Sequence, residues 1–178
     1  MKRLAILLVV ACSKRPDPAV TIPKLSGELK IDGELGEPAW NNRSLRHVLT
    51  TPTGEQSRPF SEVRFLHDDA NLYVGLYAAD ENIQSQDFFD VKIGDVAFHA
   101  DPTGKITPPG IATKAAVDLD GTLDNPANDD EEWVLEIVIP LSATALANGT
   151  KAIHVSRCDT PKDGHERCGE WSTNVKLE

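Results

Sequence analysis

This chain lacks the signatures of catalysis. It holds no G-x-S-x-G elbow, no H-E-x-x-H pair, no P-loop and no G-x-G-x-x-G turn. Two carboxylates facing across a cleft could cleave a glycoside, but among 28 acids some pair falls near that spacing by chance. The chain therefore reads as a non-enzyme. Bases are short as well: 18 lysines and arginines leave a net charge of −10. Such a surface repels a phosphate backbone, which excludes nucleic acid as a partner. Only three tryptophans are present, and aromatics make up 6% of the chain. Apolar runs are short, and none reaches the ~20 residues that cross a membrane as a helix.

What is present begins with Met1-Lys2-Arg3, an apolar stretch from Leu4 to Ala11, and Cys12. A basic start, an apolar run and a small residue before the cut are the marks of a secretion signal. Val9-Val10-Ala11-Cys12 resembles a bacterial lipobox, so residues 1–11 are expected to be removed and Cys12 lipidated. Loss of Lys2 and Arg3 leaves 16 bases against 28 acids, a net charge of −12. Ser13 after Cys12 points to the outer membrane by the usual sorting rule. Residues 12–24 contain Pro16, Pro18 and Pro23 and read as a tether. Residues 25–178 then suit a single domain with a core of its own.

Two cysteines remain, Cys158 and Cys168. In an oxidising envelope an even pair reads as a disulfide. A metal site from Cys158, His165 and Cys168 is the alternative, although zinc asks for a fourth ligand.

Most of the domain reads as short strands between turns. Phe60 to His67 partly alternates apolar with polar, which predicts a half-buried strand. Asp68-Asp69-Ala70-Asn71 is a turn. Leu72 to Ala79 is apolar nearly throughout, which predicts a central strand covered on both faces, with Tyr73 and Tyr77 in the core. A hairpin or a bulged strand is expected over 91–100, around Gly94-Asp95, and further strands over 111–119, 133–139, 151–157 and 171–177. Leu141 to Ala147 predicts helical turns stopped at Asn148-Gly149. Trp133, Leu135, Ile137 and Ile139 share one face by alternation, so Trp133 belongs to the core. Many short strands with regular turns argue for an antiparallel β-sandwich.

One segment is more specific. In Ile31 to Trp40, IDGELGEPAW, a short strand is expected to meet a turn at Asp32-Gly33, and Glu37-Pro38 to open a helical turn. Trp40 then offers a large ring to a core. The pattern I-D-G-x-L-x-E-x-A-W resembles the opening of family 9 carbohydrate-binding modules. Two further blocks extend the resemblance: VRFLHDDANLYVGLYAAD, and DLDGTLDNPANDDEEWVLEIVIP from Asp118 to Pro140. Together they cover most of residues 25–140. The resemblance implies an all-β, immunoglobulin-like or DOMON-like antiparallel sandwich that binds a polysaccharide or other glycan without turning it over. A role supporting carbohydrate catabolism goes with it. Some DOMON-like relatives hold haem, but Met1 is the only methionine and leaves with the signal, so His/Met ligation is excluded.

The resemblance also implies two tryptophans clamping the sugar. Trp40 and Trp133 match structural positions, which leaves Trp171. Phe88 and Phe89, beside Asp87 and Asp90, are candidates for a second platform. Trp171 reads equally well as packing. Asp118, Asp120, Asp124, Asp129 and Asp130, near Asn125 and Gly121, are oxygen donors at close spacing and candidates for calcium. Calcium is known in the family; the alternative is a solvated turn of capping aspartates. A second function stays open: a sandwich without its sugar clamp that meets a protein partner in the envelope.

Overall fold

A computed structural model describes residues 18–178. The signal stretch, Cys12 and the start of the tether lie outside the described residues. Eleven strands form two sheets. One sheet orders β1 (Val20–Ile22), β11 (Arg167–Leu177), β10 (Lys151–Asp159), β5 (Phe88–Ile93), β6 (Val96–Ala100) and β7 (Ile106–Thr107). The other orders β2 (His47–Val48), β3 (Ser61–His67), β4 (Asn71–Ala79), β9 (Glu132–Pro140) and β8 (Lys114–Asp120). All pairings are antiparallel except β1 with β11. The expected sandwich is the architecture found. The folded sheet, however, begins at Val20, inside the stretch read as tether, because β1 pairs with the end of β11.

Alternation builds the space between the sheets. Val63, Phe65, Leu72, Val74, Leu76, Leu135, Ile137 and Ile139 face Phe89, Val91, Ile93, Ile153, Val155 and Val175 there. Each such side chain contributes about 1.5–3 kcal/mol on full burial. Trp133 lies among them, as its strand position predicts.

A second, smaller core lies outside the five-stranded sheet. Trp40, Leu45 and Leu66 are buried there, with Leu25, Leu29, Leu35 and Tyr73 packed on them. The N-terminal stretch thus covers the outer face of β3 and β4. This changes two expectations. The strand read as half-buried is buried along its whole length, because Glu62 and Arg64 pair beneath the cover and Arg64 also donates to the carbonyl of Trp40 at 3.3 Å. Tyr73 and Tyr77 point outward from β4, and their hydroxyls donate to Asp68 and Glu132.

Glu136 explains the IDGELGEPAW segment. Its Oε2 accepts the backbone N–H of Asp32 at 2.9 Å and of Gly33 at 3.0 Å, and its Oε1 accepts Trp40 Nε1–H at 2.9 Å. Gly33 has φ +98°, and a Cβ there would meet the Asp118 nitrogen at 2.5 Å, so only glycine lets the turn lie this close to β8. The 3₁₀ turn Pro38–Asn41 starts with proline as expected. The short strand expected before the turn does not form: around Ile31 the chain lies over the sheet without pairing with it.

At the other edge of the chain's order, Gly149 closes the turn Leu146–Asn148 by donating its N–H to the Leu146 carbonyl at 3.0 Å. Cys158 and Cys168 are directly opposed on β10 and β11 and form a disulfide.

Candidate functional site

The strand registers gather the 49–60, 80–87, 121–131 and 160–166 connections at one end of the sandwich. Two backbone bonds tie the sheets together there: Thr50 N–H to the Glu170 carbonyl at 2.9 Å, and Glu170 N–H to the Thr50 carbonyl at 2.8 Å. Gly169 lets the 51–58 turn settle on β11, since a Cβ at 169 would meet Ser57 Cβ at 2.4 Å. Arg58 and Arg167 are thereby brought to one basin of about 500 Å³, with Gln56, Phe60, Glu81 and Glu131. Phe60 is half-buried and leans on Tyr77, with ring centres 5.9 Å apart. The basin runs on into a second hollow lined by Thr51, Glu55 and the same two arginines. One apolar ring, two guanidiniums, several carboxylates and the Gln56 amide suit a small polyhydroxylated ligand, which offers C–H patches and hydroxyls together.

Charge is buried under this basin. Arg157 reaches up from β10 and donates to Asp80 Oδ2 at 2.7 Å and Asp159 Oδ1 at 2.8 Å. It also donates to Ser61 Oγ at 3.2 Å and to the Ala79 carbonyl at 3.1 Å. Asp87 accepts the N–H groups of Gln84 and Thr160, both at 2.8 Å, and so stitches the 80–87 and 160–166 connections together. Burial pushes Asp87 up to about 6, against the pull of those two N–H groups. Burial also raises Asp159 to about 7, with Arg157 opposing and the charges of Asp80 and Asp87 adding to the rise. Strongly shifted carboxyls beneath a concave surface are a recurrent mark of functional sites.

The residues expected to stack on sugar are not brought together. Phe89 is fully buried, edge-on to Trp133 with centres 5.2 Å apart. Adjacent residues on a strand face opposite ways, so Phe88 alone points out, against His99 on the open face of the six-stranded sheet. Trp171 points inward with Gly169 and Val175, stacked on His47 at 4.2 Å and on Phe65 at 6.0 Å. Packing is the role its geometry supports, and burial lowers the pKa of the His47 beneath it.

The five aspartates proposed for calcium do not converge either. Asp118 and Asp120 stand on β8, beside a separate hollow with Glu34, Arg64 and Tyr77. Asp124 accepts Ser85 N–H at 2.8 Å, and Asp129 pairs with Lys162 at 2.6 Å. Asp130 is buried and joins two connections, accepting Ile83 N–H at 2.9 Å and Thr122 N–H at 2.8 Å. Among the described residues the five do not form one donor set: Asp124 and Asp130 hold backbone turns, and Asp129 holds a lysine. Among the described residues, the carboxylate trio whose oxygens lie within 4.8 Å of one another is Asp80, Asp87 and Asp159. Cys158 and Cys168 are bonded to each other, which overturns the metal alternative with His165.

Reading the sequence alone missed Arg58, Phe60 and Arg167. They sit in irregular chain or at a strand start, where no periodicity marks a side chain as facing a basin.

A scan against protein-family models finds no match, and neither does a search of curated proteins. Among solved structures, the chain is similar to a carbohydrate-binding module of family 9 from Caldicellulosiruptor kristjanssonii in complex with cellotriose. The TM-score is 0.63 at 14% identity, over 90% of this chain and 94% of that one. A family 9 module from the same organism in complex with glucose gives 0.57 at 15% identity, over 89% and 95%. The fold is therefore the one that the Ile31–Trp40 pattern led us to expect.

Proposed function

We propose that this protein is a non-catalytic glycan-binding domain, carried on a lipid-anchored protein of the bacterial envelope, and that it supports carbohydrate catabolism by holding polysaccharide near the cell. The observation that carries the reading is the likeness of fold, along nine-tenths of the chain, to a module that holds cellotriose. The basin at the loop end supplies matching chemistry. Phe60 gives an apolar face to a sugar ring, while Arg58, Arg167, Gln56, Glu81 and Glu131 reach its hydroxyls. The lipid on Cys12 and the outer membrane location are supported by the lipobox-like stretch of residues 9–12 and by Ser13 alone.

A second reading is favoured by one observation. Trp40 and Trp133 are fully buried and Trp171 is stacked on His47, so no tryptophan pair is free to clamp a sugar. A sandwich in that condition could instead meet an envelope protein through the same end.

Retention of the purified protein on insoluble and soluble polysaccharides separates the two. Glycan retention that falls at least tenfold in Arg58→Ala and Phe60→Ala supports the sugar reading. No retention on any polysaccharide, with calcium or with chelator, sinks it and leaves the protein partner. Turnover of any substrate in the same panel would overturn the non-catalytic part.

A further inference from the structure

Asp80, Asp87 and Asp159 enclose more negative charge than their surroundings balance. All three are buried, and the trio faces one guanidinium, that of Arg157, itself buried. Three carboxylates against one arginine leave two charges uncompensated where water is excluded, and like charges so placed do not all ionise together. The hydrogen bonds show where a proton fits. Both oxygens of Asp87 accept backbone N–H groups, from Gln84 and Thr160. Asp80 Oδ1 accepts Asn82 N–H at 2.9 Å and its Oδ2 accepts Arg157. Asp159 Oδ1 accepts Arg157, while its Oδ2 is buried with no hydrogen-bond partner among the described residues. A proton on Asp159 would remove a charge and supply the donor for a carboxyl–carboxylate bond with Asp80, an interaction that raises Asp159. The upward displacement of Asp159 agrees with this placement.

The cluster is wired to the basin above it. Asp80 N–H donates to the Glu131 carbonyl at 2.9 Å, and Asp130 N–H donates to the Glu81 carbonyl at 3.3 Å. Arg157 holds Ala79 and Ser61, at the ends of β4 and β3. The charged groups around the cluster are Glu81 on its own connection, Asp130 and Glu131 from the approach to β9, and Arg58 and Arg167 across the basin.

We infer that the buried cluster around Arg157 holds one proton, seated on Asp159 Oδ2, and that its release loosens the basin floor, so that the ligand of the basin is bound more weakly in alkaline than in mildly acid solution. The inference rests on the basin being the glycan site.

The test has two arms on the purified protein. Carbon-13 carboxyl shifts, followed from pH 3 to 9, read the proton without any sugar. A carboxyl of the trio titrating in the neutral range is expected, whereas all three titrating below pH 5 would overturn the inference. Retention on the best polysaccharide of the panel is then measured at pH 5.5 and 8.5. A loss of about fivefold or more at the higher pH is expected, in the usual range for coupled equilibria. Asp159→Asn, which keeps the neutral form at every pH, should show no such loss. Equal retention at both pH values in the unaltered protein, with a carboxyl titrating in between, would overturn the coupling. A divalent cation that restores alkaline retention in the unaltered protein but not in Asp159→Asn would also overturn it, since an ion rather than a proton would then balance the charge. If no polysaccharide is retained at any pH the function proposed above falls, while the carboxyl shifts still decide the proton.

Discussion

Trp40 Nε1–H donates to Glu136 Oε1 at 2.9 Å across 96 residues of sequence, with both residues fully buried. The bond joins the N-terminal cover to β9, an interior strand of the sheet beneath. The other oxygen of the same carboxylate holds the Asp32-Gly33 turn. Burial raises the pKa of Glu136 and the three donors oppose that rise. One buried acid therefore ties down the whole Ile31–Trp40 segment.

Glu136→Ala should cost about 3 kcal/mol or more, because it leaves three buried donors without an acceptor. Urea denaturation measures it. An unchanged midpoint would show that the cover is held by its apolar contacts alone.

Two glycines with similar φ separate backbone freedom from space. Gly33 and Gly27 have φ of +98° and +89°, but an added Cβ meets backbone at 2.5 Å only at Gly33. Gly27→Ala should cost about 1–2 kcal/mol, the left-handed penalty alone. Gly33→Ala should cost clearly more, read from the same denaturation curves.

Removing the Cys158–Cys168 bridge with a double serine variant should cost about 3 kcal/mol, the chain-entropy value for a loop this short. Thermal unfolding of the oxidised protein and the variant tests it. Arg167 and the adjoining hollow lie next to Cys168, so glycan retention should weaken along with stability.

Trp171→Ala should destabilise the fold by about 2–3 kcal/mol, less than loss of a fully buried ring, because Trp171 is only partly buried. Glycan retention of the protein that remains folded should not change. Phe60→Ala should do the reverse, lowering retention with a small loss of stability. Retention lost with Trp171 and kept without Phe60 would move the sugar site to the Trp171 side.

Stability should peak in mildly acid solution. Asp68 is partly buried, which would raise it, but bonds from Tyr73, Ala70 and Asn71 hold it down at about 2. A lowered acid contributes stability that is lost as pH falls from about 4 towards 2. Asp87 and Asp159 are raised to about 6 and about 7. In that window the folded state binds more protons than the unfolded one, so stability falls as pH rises from about 4 to 7. Unfolding temperatures across pH 2–9 test both slopes, and Asp159→Asn should flatten the upper one.

The sequence by itself determined what local rules govern. Alternation placed Trp133, Leu135, Ile137 and Ile139 inside, and the Asp68–Asn71 turn set the β3–β4 hairpin. Proline opened the turn before Trp40, glycine closed the one at 149, and two remaining cysteines paired. Phe88 and Phe89 part to opposite faces because β5 begins at Phe88, ahead of the strand expected from 91. The tertiary structure alone decided the rest, because those features join segments distant in the chain. Glu136 looks like a lone polar break in an apolar strand until Trp40 is folded over it. The five aspartates look like a donor set until neighbouring connections supply N–H groups to Asp124 and Asp130 and a lysine to Asp129. Arg157 meets Asp80 across 77 residues, and Arg58 meets Arg167 across the two sheets. Long-range pairing of charge leaves no period in the sequence: it depends on register and on which strands are neighbours, and these are fixed only when the apolar faces close on each other.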